Sequence, residues 1–101
     1  MDRVKPADCT AMAEVRAGVD ALDREIVALI GERFRYMDAA ARIKPVREAV
    51  RDEGRKAQVL ANVARLADEH DVPATAAAEL YEGLIEASIA YELGRFDATR
   101  K

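Results

Sequence analysis

A chain of 101 residues fits one small domain, and its 50% apolar content with only 5% aromatic residues is that of a helical bundle rather than a sheet. A net charge of −3 excludes nucleic acid as the main partner, because neutralising phosphates requires a basic surface. The single Cys9 permits no internal disulfide, and no apolar run resembles a signal peptide or a membrane span; a reduced, cytoplasmic protein that does not engage a membrane, with Cys9 an inert thiol, is expected.

Residues 1–9 are read as a flexible N-terminal extension. The first helix is expected from about Thr10, an N-cap with Glu14 in the first turns, to Lys44, where Pro45 disfavours helix for its predecessor. Such a rod is roughly 50 Å long, whereas a compact chain of this size has a radius of gyration of about 13 Å. Long helices in so short a chain suggest that two chains share one core.

The loop "PVREAV" leads to a second helix, which starts at Arg51 or Asp52, with Asp52 suited to the cap, and ends near His70. Val59, Val63 and Leu66 form its apolar stripe. After "HDVPA", Pro73 opens a third helix to about Arg95, with Asp71 available as its cap. No repeat, low-complexity tract or strand-like alternation interrupts this all-α reading.

Two helices carry polar groups in an apolar seam. On the first, Val15, Val19, Leu22, Ile26, Leu29, Arg33, Tyr36, Ala40 and Ile43 follow one another at helical spacing, and Arg33 alone is charged. On the third, Tyr81, Ile85, Ser88 and Glu92 run from apolar to polar. Lys44 lies about 20° round the helix from Arg33 and roughly 16 Å along it, so the two long cations can lean towards one small anion. Arg16 lies about 25 Å before Arg33 and some 100° round. It cannot reach the same place within one chain, but an antiparallel two-fold partner could bring its own Arg16 there.

Each residue alone has a plain structural reading: Arg33 as a snorkelling or paired side chain, Ser88 as a packing residue bonded back to its own helix, Glu92 as a solvated or paired charge. Arg33, Lys44, Arg55 and Glu92 together read better as an anion site, because uncompensated buried charge is costly. No nucleophile has a base beside it, the sole His70 sits at a helix end, and metal-ligand spacing and phosphate-cradling glycines are absent. A site of this kind binds carboxylates and stabilises developing charge, which suits a unimolecular rearrangement or elimination of a dicarboxylate.

The stretch "VRAGVDALDREIVALIGERFRYMDAAARIK" resembles the first helix of the all-α class of chorismate mutases, "VRDEGRKAQVL" the start of their second, and "SIAYE" the third-helix segment that carries a Ser and, four residues on, a Gln or Glu. The N-terminal "KPADCTAMAEVRAGVDALDREIVALIGERF" is similar to a subgroup that also contains isochorismate-pyruvate lyase. The resemblance implies an intertwined homodimer of three helices per chain, with each of two sites borrowing an Arg in trans and no cofactor required. It further implies that Arg16 of the partner chain and Arg33 bind the substrate carboxylates with Arg55 nearby. Lys44 and Glu92 would bond the ether oxygen that breaks, Ser88 would hold the ring carboxylate, and Asp52 would serve near the ring hydroxyl through its backbone.

Two positions depart from the mutase pattern. Glu92 stands where many members have Gln, and a carboxyl donates a hydrogen bond only when protonated. Lys56 stands where mutases often have a Glu that accepts the ring hydroxyl: either it points to solvent and another group accepts, or the substrate differs there, as isochorismate does. Three readings follow: chorismate mutase; isochorismate-pyruvate lyase or a mutase of an amino-substituted chorismate; and a non-catalytic helical dimer.

Overall fold

The computed structural model describes residues 3–100. Three α-helices, α1 (Met12–Ile43), α2 (Glu53–Glu69) and α3 (Ala74–Thr99), are joined by short segments that include two 3-10 turns, Pro6–Asp8 and Arg47–Ala49. Among the described residues no helix is long and apolar enough to cross a membrane. The chain divides into two units, Met1–Arg35 and Tyr36–Lys101, so α1 contributes to both.

In the first unit α1 begins two residues later than Thr10. The Thr10 hydroxyl does not accept a helix amide; it donates to Glu14 Oε1 at 3.2 Å, and the same oxygen accepts the backbone N–H groups of Thr10 at 2.9 Å and Ala11 at 3.1 Å. One carboxylate thus takes over three donors at the helix start, and the Thr10 amide above all holds Glu14 below the usual carboxylate range. Arg3 lies 3.7 Å from Glu25, which lays the segment before the helix back along α1.

The stripe expected to be buried lies open in the chain by itself. Val15, Val19, Leu22 and Ile26 are exposed, and Leu29 keeps 65% of its surface, while Arg33 is half-buried. Val15, Val19 and Leu22 border a largely apolar groove whose other wall includes Val4, Pro6 and Cys9.

The second unit holds the buried core. Ala41, Val50 and Phe96 form one apolar cluster with Ile89 and Leu93 against it, and Val63, Ala67 and Ala77 form another with Val59 and Tyr81. Asp38 ties the last turns of α1 to α3 by accepting from the Tyr91 hydroxyl at 2.8 Å and facing Arg95 at 3.1 Å.

Asp52 caps α2 as expected, its carboxylate accepting from the Arg55 amide at 3.0 Å. Asp71, by contrast, is not the cap of α3. It sits at φ 58 as the left-handed residue that closes α2, with the Val72 amide donating to the Ala67 carbonyl at 2.9 Å and its own amide donating to the Asp68 carbonyl at 3.5 Å. Pro73 takes the cap position of α3 with no side-chain hydrogen bond. α3 also runs four residues beyond Arg95, because Phe96 is drawn into the cluster with Ala41 and Val50 and Gly94 does not outweigh that burial.

Candidate active site

Only two polar side chains are buried in the chain, Ser88 and Glu92, each 3% exposed and one helical turn apart on the inner face of α3 between Ile85 and Phe96. That statement covers the described residues. The buried charge is therefore on α3, and not the guanidinium of Arg33.

A buried carboxylate requires a partner, and Glu92 has one. Lys44, the first residue beyond α1, donates from Nζ to Glu92 Oε2 at 2.7 Å and lies 3.5 Å from the Val50 carbonyl. Its side chain keeps 29% of its surface against 4% for that of Glu92, so Lys44 is the accessible member of the pair and Glu92 the enclosed one. A small anion or ether oxygen approaching from solvent would meet the Lys44 side chain before the Glu92 carboxylate.

Ser88 donates to the Leu84 carbonyl at 2.7 Å, the back-bonding expected of a small polar residue within a helix. Arg55 is exposed at the start of α2, where its Nη1 donates to Gln58 Oε1 at 2.7 Å. The Asp52 carboxylate is committed to its cap. Arg16 and Arg33 belong to the first unit, Arg16 exposed and Arg33 half-buried.

Lys56 does not point free into solvent. Its ammonium bridges Glu82 at 2.7 Å and Glu86 at 2.8 Å on α3, and Arg51 closes on Glu86 at 2.6 Å. Glu86 is pulled down to about 2 by hydrogen bonds from Arg51 and then Lys56. Lys56 is raised by hydrogen bonds to Glu82 and then Glu86. The network fastens α2 to α3 and leaves Lys56 no lone pair with which to accept a substrate hydroxyl.

Sequence reasoning missed the groups that hold the Lys44 connector. Arg47 pairs with Asp97 at 2.9 Å, and Arg100 donates to carbonyls at the end of α1. Phe96 and Arg100, four residues apart, were the available signal, since the guanidinium stacks 4.1 Å from that ring.

The family described as chorismate mutase type II matches residues 15–93. Isochorismate pyruvate lyase of Pseudomonas aeruginosa is 34% identical over 95 residues, which cover 94% of each chain. A match through the long helix, both connectors and the Ser88–Glu92 segment, with a relative aligned over nearly the full length, means that this chain belongs to the all-α, type II chorismate mutase family, in the part related to isochorismate-pyruvate lyase.

Proposed function

We propose that the protein is a chorismate mutase, acting as a homodimer with two shared sites. The observation that carries this reading is the 2.7 Å Lys44–Glu92 pair, a partly exposed lysine side chain bonded to a buried carboxyl. In the rearrangement of chorismate to prephenate one C–O bond breaks as one C–C bond forms, and negative charge builds on the ether oxygen. Lys44 donates to that oxygen, a protonated Glu92 donates beside it, and no protein group enters a covalent bond.

Arg33 and the partner's Arg16 clamp the two carboxylates, Arg55 adds positive charge nearby, Ser88 turns towards the ring carboxylate, and the backbone at Asp52 meets the ring hydroxyl. The exposed stripe from Val15 to Leu29 supports the dimer, because a second α1 would cover it. Both units act as one catalytic domain. The cytoplasm is the proposed compartment, consistent with one unpaired thiol.

A second reading, isochorismate-pyruvate lyase, is favoured by the aligned relative and by the commitment of Lys56 to Glu82 and Glu86, which leaves no acceptor at that position. Incubation of the purified protein with chorismate and, separately, with isochorismate tests both. Prephenate from the first supports the mutase; salicylate with pyruvate from the second, and no prephenate, replaces it with the lyase. Neither product would leave a mutase of an amino-substituted chorismate and the non-catalytic dimer.

A further inference from the structure

The end of α1 has a defect that its own backbone cannot repair. In an α-helix the carbonyl of Ala41 accepts from the amide four residues on, but that residue is Pro45, which has no N–H. Ala41 is 1% exposed, so water is a poor substitute.

Arg100 supplies the donor. Its Nη1 donates to the Ala41 carbonyl at 3.1 Å, and its Nη2 donates to the Lys44 carbonyl at 2.7 Å and lies 3.5 Å from that of Arg42. Nη1 also meets Thr99 Oγ1 at 2.9 Å, and the guanidinium plane lies against the Phe96 ring, itself buried with Ala41 and Val50. A cation at a helix C-terminus is also favoured by the negative end of the helix dipole. The planar fork is rigid, so bonds to several carbonyls fix the connector's direction as well as its position.

Lys44 is thus gripped at both ends: Arg100 holds its backbone carbonyl and Glu92 holds its ammonium. Arg100 lies outside the 15–93 span that the family match covers. We infer that Arg100 is a positioning residue for the reaction, setting the place and orientation of Lys44 through the carbonyls at the end of α1. The inference rests on the assignment of Lys44 as the group that meets the reacting oxygen.

The test compares wild type, Arg100→Ala and Arg100→Lys, with Val63→Ala as a control that loosens the other apolar cluster without touching the connector. With whichever substrate the wild type converts, Arg100→Ala is expected to lower kcat roughly 10- to 100-fold, the scale of an ångström-level misplacement, while KM changes much less. Arg100→Lys regains part of the loss, and millimolar guanidinium restores kcat to Arg100→Ala but not to Lys44→Ala. Val63→Ala lowers Tm and keeps kcat. Nitrogen-15 relaxation of the Lys44 ammonium is measured on the same samples and is expected to show greater mobility in Arg100→Ala. If wild type converts neither chorismate nor isochorismate, the mutase and lyase readings for those substrates fail, while increased Lys44 mobility would still uphold the positioning of Lys44 by Arg100. Unchanged kcat, unchanged Lys44 relaxation in a folded Arg100→Ala, or an equal kcat loss in Val63→Ala would overturn it.

Discussion

Lys44 and Glu92 stand 48 residues apart in the chain and 2.7 Å apart in the fold, with the lysine side chain partly open to solvent and that of Glu92 almost wholly enclosed. Without substrate, Glu92 accepts a hydrogen bond. The proposed reaction needs it to donate one, which it does only when protonated. Glu92→Gln, whose amide can always donate, should therefore keep or raise kcat/KM, whereas Glu92→Ala should lower it roughly 100-fold. An undiminished kcat/KM in Glu92→Ala would remove Glu92 from the mechanism.

The trans origin of Arg16 can be tested by mixing two inactive variants. If each site takes Arg16 from one chain and Lys44 from the other, Arg16→Ala and Lys44→Ala chains mixed and allowed to exchange form hybrid dimers with one intact site. Random pairing should return about a quarter of wild-type activity. No recovery, with exchange demonstrated by mass, would place both residues of a site on one chain. Ile26→Glu, on the exposed stripe, should shift the protein to monomer in sedimentation and abolish turnover.

The α2–α3 ion network should make stability depend on acid. Arg51 and Lys56 hold Glu86 at about 2, below its ordinary 4.5. A carboxylate lowered on folding stabilises the protein above the unfolded value, and that contribution fades as pH falls from about 4.5 to about 2. The Glu86 side chain is 39% exposed, so the effect is modest and weakened by salt. Tm against pH should slope less in Glu86→Gln than in wild type across that window, and the difference should shrink at high ionic strength. Parallel curves would exclude Glu86 as the source.

At Asp71 the backbone, rather than any contact, decides the outcome. Its φ of 58 suits glycine, is tolerated by Asp, and opposes a β-branched side chain. Asp71→Gly should change stability by a gain of about 0.5–1 kcal/mol, and Asp71→Val should lose about 1–2 kcal/mol, both read from denaturant midpoints. A stabilised Val variant would contradict this conformation.

These positions mark where local pattern stopped being informative. Asp52, Pro45 and Pro73 act through short-range rules, so the three helices and the α2 cap could be placed from their neighbours alone. The polar seam of α3 was legible too, because Ser88 and Glu92 continue the spacing of Ile85. Asp71 was misread because a helix stop and the next helix start compete for one residue, and the left-handed turn won. The extension of α3 to Thr99 depends on Phe96 finding Ala41 and Val50 across the fold, which no window of sequence contains. Lys56 looked like an anomaly in a substrate site until Glu82 and Glu86 were seen to hold it.

Pro45 gives the chain an unusual mutational bookkeeping. Replacing it with Ala would return an amide to the position facing the Ala41 carbonyl, which would then have a donor besides Arg100. Arg100→Ala should accordingly harm the Pro45→Ala protein less than the parent, a coupling of about 0.5–3 kcal/mol in a double-mutant cycle. Two residues 55 positions apart would then be free to drift only together, the proline tolerable because the arginine is there.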